Sequence, residues 1–151
     1  MARYTGFAAS ALAAAIFAAT GSADTSDWAT ATASPAAAAA ATVLTLKLHY
    51  EVTCGNPGPG PVVVRLPRAF RMRGVPEVRL GRLSAPMVTT SGHSVTIALP
   101  RPPEITCMSI TPGTLALVFV EGLVNPSSGG VYRVSAHLPG HTFTASLAIR
   151  A

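Results

Sequence analysis

The sequence predicts an all-β domain in which two antiparallel sheets pack face to face. Apolar and polar residues alternate in about nine short runs, and no stretch of residues 43–151 has helical periodicity. The 13 glycines and 13 prolines lie mostly between these runs. Breaks at intervals of roughly ten residues are typical of sandwich domains.

The first 23 residues have the layout of a secretory signal peptide. Arg3 supplies a positive charge, the uncharged run Phe7–Ala19 is mostly apolar, and Gly21 to Ala23 provide a small-residue cleavage site. The apolar run is shorter than the roughly 20 residues needed to cross a bilayer. We therefore expect export and no membrane span in the mature chain, with an uncleaved anchor as the alternative.

Residues 24–42 read "DTSDWATATASPAAAAAAT" and are rich in Ala, Thr and Ser. Such a composition is typical of a low-complexity spacer that buries too little apolar surface to fold. We expect this segment to lie outside the fold, which leaves residues 43–151 as one domain with one core.

The folded part opens with a clear strand, "VLTLKLHYEVTC". Its apolar residues from Leu44 to Cys54 share one parity, so one face should lie on the core. "CGNPGPGP" then breaks regular structure. "VVVRL", "AFRMR" and "VRLGRL" follow as strands, and "PMVTTSGHSVTIAL" predicts a hairpin around Ser91 to His93.

The remaining strands precede the C-terminus. "ITCMSI" follows the break "PRPPE", and "TLALVFV" is apolar on both faces, which predicts a central strand. "VYRVSAH" and "TFTASLAIR" complete the set. In the last of these, alternate residues from Phe143 to Ile149 should face the core.

The chain contains two cysteines, Cys54 and Cys107. In an exported protein an even count indicates a disulfide, and two cysteines allow a single pairing. A Cys54–Cys107 bridge would close a loop of about 54 residues, and the chain-entropy model predicts that it stabilises the fold by roughly 4 kcal/mol. Two free buried thiols are the alternative.

The motif "GLVNPSSGGVYRV", Gly122 to Val134, is similar to a phrase found in immunoglobulin-like domains of bacterial and archaeal cell surfaces. Together with the strand pattern, it resembles secreted immunoglobulin-like β-sandwich domains of about seven to nine strands. The resemblance implies a structural or binding module with no shared catalytic set, and a disulfide that could bridge the two sheets. Two departures are that the single Trp, Trp28, lies in the expected spacer and that Tyr132 lies far after Cys107.

The sequence argues against an enzyme. Both aspartates lie in the expected spacer, and no Gly-x-Ser-x-Gly elbow, phosphate loop or dinucleotide motif is present. Glycosidase chemistry needs two carboxylates about 5 to 10 Å apart. The four glutamates of the folded part are scattered near strand ends, which indicates solvated charges: Glu51, Glu77, Glu104 and Glu121.

The segment "HLPGH" places His137 and His141 on either side of a Pro-Gly turn. Two imidazoles can bind copper or zinc, but a useful site needs a third ligand. A metal site at this pair is our third functional hypothesis. The alternative is that both histidines are polar residues flanking a turn, and we expect no cofactor.

A basic cluster follows the break "CGNPGPGP". It consists of six arginines within "RLPRAFRMRGVPEVRLGR", with Glu77 as the only acid: Arg65, Arg68, Arg71, Arg73, Arg79 and Arg82. Strand parity prevents all six from sharing one face of one strand. They could still form a patch for an acidic polymer, although Arg on edge strands also discourages aggregation.

We therefore expect an exported, non-enzymatic β-sandwich module that binds or scaffolds at the cell envelope or outside the cell. The alternative is a secreted module that binds polyanions through the basic cluster. Its partner would be an envelope component or an acidic polymer. Nucleic acid is not expected, because only Phe70 interrupts the arginines as an aromatic that could stack on bases.

Overall fold

A computed structural model describes residues 28–49, 60–81, 83–85, 87–99 and 113–151 of the chain. These residues form ten strands in two five-stranded sheets. The strands are β1 (Trp28–Ser34), β2 (Val43–His49), β3 (Val62–Arg65), β4 (Arg71–Leu80), β5 (Leu83–Ser84), β6 (Met87–Ser91), β7 (Ser94–Ala98), β8 (Thr114–Val124), β9 (Gly130–Leu138) and β10 (His141–Ile149).

The two sheets form an immunoglobulin-like antiparallel sandwich, as the sequence predicts. The first sheet has the order β1-β2-β8-β4-β5 and the second has the order β10-β9-β3-β7-β6. Strand β8 lies at the centre of the first sheet, which confirms the prediction drawn from its two apolar faces. No helix among the described residues is long and apolar enough to cross a membrane.

The core lies between the sheets and follows the predicted alternation. Leu44, Leu46 and Leu48 of β2 are buried, and so are alternate residues of β10 from Phe143 to Ile149, as predicted. Alternate residues of β7 and β9 are buried in the same way. The largest fully buried side chains include Phe70, Phe119, Leu44, Leu46, Leu48, Leu80, Ile97, Leu115, Leu117, Leu123 and Leu147.

Strand β4 joins two runs that the sequence presents separately. Its pairing with β8 changes register between Met72 and Glu77 and again at Val78. Gly122 of β8 lies opposite this irregular stretch with a φ of +89°, and a Cβ there would approach the Cα of Pro76 to 2.9 Å. Glycine is therefore required for the close contact between the two strands.

The expectation that residues 24–42 form a spacer outside the fold is wrong from Trp28 onward. Residues Trp28–Ser34 are strand β1, paired with β2 over its whole length from Trp28 opposite His49 to Ser34 opposite Val43. Ala31 belongs to the core, and β1 packs against β10 of the second sheet. The segment "WATATAS" in fact alternates Ala and Thr with a period of two, so small inward side chains are enough for an edge strand.

The alanine-rich segment that follows β1 also belongs to the fold. The backbone NH of Ala38 donates to the carbonyl of Arg150 at 2.8 Å, and the NH of Arg150 donates to the carbonyl of Ala36 at 2.7 Å. These bonds connect the β1–β2 loop to the end of β10. Alanine suits this position because the chain passes close to the backbone of both sheets.

Asn125 and Pro126 of the Gly122–Val134 motif hold the same loop from the other side. The Asn125 side chain is fully buried, and its Nδ2 donates to the carbonyls of Pro35 and Ala37, each at 2.8 Å. The NH of Asn125 donates to the carbonyl of Ala40, and the NH of Ala39 donates to the carbonyl of Pro126. This part of the motif is therefore structural.

Tyr132 closes the turn that precedes its own strand. Its hydroxyl donates to the backbone carbonyl of Ser128 at 2.8 Å, and its ring packs edge-on against Phe70 with centroids 6.1 Å apart. A tyrosine that bonds to backbone a few residues upstream is a feature of immunoglobulin-like sandwiches. The bond exists here although the spacing from Cys107 differs from that of antibody domains.

Several sequence predictions lie outside the described residues. They include the signal peptide at residues 1–23, both cysteines of the expected disulfide, Cys54 and Cys107, and the predicted strand "ITCMSI".

Candidate functional site

Four arginines of the basic cluster lie near one end of the sandwich. Arg65 ends β3 of the second sheet, Arg68 lies in the loop that crosses to the first sheet, and Arg71 and Arg73 begin β4. All four side chains are exposed. The structure thus gathers them at one end but distributes them over both sheets, and Arg82 lies outside the described residues.

Arg79 differs from the other arginines of the cluster because it is ion-paired. Its Nη2 lies 2.9 Å from Oε1 of Glu77, and its Nε donates to the same oxygen at 3.0 Å. Both side chains are about half exposed, so this pair contributes little stability. It does neutralise the positive charge on this part of the first sheet.

The outer face of the second sheet carries a regular array of side chains that are polar except for Val63, and the apolar side chains of Met87 and Val131 are exposed at its margins. Paired positions form one row across five strands, Thr142–His137–Val63–Thr96–Thr89, and a neighbouring row, Thr144–Ser135–Arg65–Ser94–Ser91. Ser146 and Arg133 form the next pair on the same face. We call these twelve residues the hydroxyl face.

Arg133 is a basic residue of this face that the sequence analysis missed. It lies two positions before Ser135, which is paired with Arg65, so the two arginines are diagonal neighbours. Such positions lie about 7–8 Å apart. The signal was present in "VYRVSAH", where Arg133 has the outward parity, but it lies far from the cluster in sequence.

The two sheets differ in their acidic residues. Within the part of the chain that the structure describes, strands β3, β6, β7, β9 and β10 contain no Asp or Glu. Both described glutamates, Glu77 and Glu121, belong to the first sheet. The hydroxyl face therefore carries positive charge with no carboxylate of its own.

Glu77 and Glu121 are cross-strand partners on β4 and β8. The expectation that the glutamates are scattered is wrong for this pair, because strand pairing brings together residues distant in sequence. Both side chains are exposed, and Glu121 borders an open groove of about 330 Å³ beside the β1–β2 loop. An exposed pair beside a shallow groove lacks the enclosure that desolvates a catalytic carboxylate.

His137 and His141 lie on opposite faces of the β9–β10 hairpin. His137 is on the outer face, where its Nδ1 lies 3.3 Å from the Thr142 hydroxyl. His141 has the inward parity of Phe143, and the two rings lie 6.2 Å apart. Among the described residues no three His, Cys, Asp or Glu side chains group closely enough for a metal ion, so the metal hypothesis rests on the sequence alone.

His49 forms a second polar arrangement, on the outer face of the first sheet. Its ring stacks on Trp28 with centroids 3.4 Å apart, and its Nδ1 lies 3.1 Å from the Thr114 hydroxyl. Desolvation, and secondarily the positive charge of Lys47, lower the pKa of His49 below its usual value. The neutral imidazole is therefore the form that the fold favours.

Comparisons with known proteins identify a fold. No protein-family model matches the chain, and no curated protein matches it. A solved structure described as "BslA - A bacterial hydrophobin" is 15% identical with a TM-score of 0.53, covering 82% of this chain and 95% of the other. This likeness supports the β-sandwich fold and carries no function with it.

Two further solved structures are similar with lower scores. A non-cellulosomal cohesin from the archaeon Archaeoglobus fulgidus is 11% identical with a TM-score of 0.46, covering 82% of this chain and 92% of the other. The N-terminal domain of the Streptococcus gordonii adhesin Sgo0707 is 12% identical with a TM-score of 0.43, covering 83% of this chain and 33% of the other.

Proposed function

We propose that this protein is an exported, non-enzymatic β-sandwich module that binds or scaffolds at the cell envelope. The observation that carries the proposal is the hydroxyl face, a five-stranded polar surface with no described acidic residue. A polar surface that extends across five strands suits contact with an extended partner better than it suits chemistry on a small substrate, for which an enclosed cleft is usual.

Export is supported by the sequence of residues 1–23 and by the position of the first strand. Cleavage after Ala23 would leave β1 intact, because β1 begins at Trp28. The expected Cys54–Cys107 disulfide belongs to the same proposal, since such bonds persist outside the reducing cytoplasm.

Binding to isolated envelopes tests this proposal. The purified mature chain, beginning at Asp24, is mixed with washed envelopes of the producing cells and sedimented. The proposal predicts saturable co-sedimentation of the chain with the envelopes. The same chain, reduced and unfolded, serves as the control. A folded chain that stays in the supernatant at every envelope concentration contradicts the proposal.

The second candidate function is binding of polyanions through the basic cluster. It is favoured by the exposure of Arg65, Arg68, Arg71 and Arg73, none of which makes an ion pair within the described residues. Unpaired arginines at one end of a sandwich create a positive potential that attracts acidic polymers.

The dependence of binding on salt tests this second function. Affinity for an acidic polymer should fall steeply as sodium chloride rises from low to near-physiological concentration, because mobile ions screen the exposed arginines. Affinity that stays constant over this range would show that the arginines do not drive binding.

A further inference from the structure

We propose that the hydroxyl face binds a linear polysaccharide that carries carboxylate groups. This inference rests on the proposed binding function and makes it specific, because it names one surface and the chemistry of its partner. The proposed binding site is the hydroxyl face, a surface built from five strands, rather than the Arg65–Arg82 segment. On that surface Arg65 acts together with Arg133.

The register of the second sheet places the polar groups at regular intervals. Neighbouring strands of a sheet lie about 4.8 Å apart, so the two rows of the hydroxyl face extend across all five strands. The rows are anchored by consecutive pairings, such as Ser135 with Arg65 and Arg65 with Ser94. The side chains that alternate with these rows, Val64, Val95 and Val134, are completely buried in the core. The array therefore stands on strands that are anchored in the core.

Arg65 and Arg133 supply the recognition of carboxylates. Guanidinium groups bind carboxylates through two parallel hydrogen bonds, and such charge-assisted bonds are stronger than neutral ones. Neither side chain makes an ion pair with a described residue. Binding a carboxylate therefore breaks no ion pair among the described residues.

The hydroxyls indicate a sugar polymer. Ser and Thr side chains both donate and accept hydrogen bonds, which matches the hydroxyl groups of a sugar ring. A polymer of phosphates offers only acceptors and would leave the acceptor capacity of these rows unused. Seven described hydroxyl residues of the two rows take this role: Thr89, Ser91, Ser94, Thr96, Ser135, Thr142 and Thr144.

Charge-reversal variants on the two sheets provide matched probes. Polygalacturonate is the carboxylated polymer, neutral dextran the uncharged control, and inorganic polyphosphate the anion without sugar hydroxyls. The mature chain with Arg65→Glu and Arg133→Glu should bind polygalacturonate at least about tenfold more weakly than the wild type. The control chain carries Lys47→Glu, at an exposed residue of β2 in the first sheet. It has the same change of net charge as the single variant Arg133→Glu and should retain the wild-type affinity that Arg133→Glu loses.

A second pair of variants tests the hydroxyls. Thr96→Val and Thr144→Val together remove one hydroxyl from each row. Valine is β-branched like threonine and favours strands, so the substitutions should leave the strands intact. Binding of polygalacturonate should weaken, whereas the same substitution at Thr32, on the outer face of β1, should leave it unchanged. All variants are checked first for wild-type thermal unfolding.

The outcomes separate this inference from the broader functions. Equal losses in Arg133→Glu and Lys47→Glu would overturn the hydroxyl face as the site and leave general polyanion binding in place. Polyphosphate bound as tightly as polygalacturonate, with no effect of the Thr→Val pair, would overturn the sugar specificity. If the folded wild type bound envelopes but not polygalacturonate, the inference would fail while the envelope function stood.

Discussion

The side chain of Asn125 holds the carbonyl oxygen of Pro35 at 2.8 Å, although the two residues are 90 positions apart in sequence. The same Nδ2 donates to Ala37 at 2.8 Å, and the Thr42 hydroxyl also donates to Pro35, at 3.1 Å. One buried amide therefore connects the end of β8 to the loop between β1 and β2. This contact gives the Asn-Pro motif a structural role.

Replacing Asn125 with Ala should destabilise the fold by about 1–3 kcal/mol, because the fully buried amide is lost and the partly buried carbonyl of Ala37 keeps only the long bond from the NH of Ala40, at 3.4 Å. Pro35 keeps the bond from Thr42. The midpoint and slope of urea unfolding measure the effect, and Ser127→Ala, at the exposed neighbouring turn, is the control. Stability equal to that of the control would show that the amide is dispensable.

Removal of β1 should be severely destabilising. A chain that begins at Val43 lacks Ala31 of the core and exposes the edge of β2 that now pairs with β1. We expect it to aggregate or to unfold at a much lower temperature than the chain that begins at Asp24. Circular dichroism melts of the two chains measure this difference, and identical melts would mean that residues 24–42 are a spacer after all.

Gly122→Ala should cost about 1–3 kcal/mol, because it places a Cβ 2.9 Å from the Cα of Pro76 at a residue with positive φ. Gly92→Ala is the matched control, since Gly92 also has positive φ but no atom lies within 4 Å of the added Cβ. Its cost should be confined to the backbone term of about 1 kcal/mol. Equal losses in the two variants would argue against a close contact between β4 and β8.

Stability should fall as the pH is lowered through the range in which histidine titrates. Because the pKa of His49 is lowered in the folded state, the unfolded chain binds more protons. The contribution of neutral His49 is therefore complete above its unfolded pKa of 6.5 and is lost as the pH falls through the folded pKa. Urea unfolding of the wild type and of His49→Gln between neutral and mildly acidic pH measures this contribution, which should be absent from the variant.

Lys47→Gln provides an independent check on the cause of that shift. It removes the nearby positive charge and should bring the pKa of His49 closer to its ordinary value, as followed by NMR titration of the imidazole protons. A larger depression of the pKa in Lys47→Gln would contradict the electrostatic part of the explanation.

Periodicity predicted most of the fold because the core strands bury large apolar residues on one face. The inward residues Leu44, Val95 and Phe143 and the central position of β8 were all visible in the pattern. Strand β1 was missed because alanine and threonine carry little hydrophobic signal, and composition outweighed the period of two in "WATATAS". Its stability comes from pairing with β2, which a local pattern does not contain.

The candidate site was less predictable for a related reason. The basic cluster was found as a run in sequence, but Arg133 joins Arg65 only through the pairing of β3 with β9. Likewise, the x₃ spacing of His137 and His141 suggested convergence, whereas the hairpin register places them on opposite faces. Long-range strand order decides which side chains meet, and local sequence patterns do not reveal that order.

The intact mass of the chain recovered from outside the cytoplasm tests the central claim, an exported and oxidised module, most directly. In the sequence, Cys54 lies after β2 and Cys107 lies before β8. The strand ends nearest to the two cysteines, His49 and Thr114, are paired with each other. We predict a chain that begins at Asp24, retains β1 and is lighter than its reduced form by two hydrogens. A full-length chain with two free thiols, found only in the cytoplasm, would contradict the account.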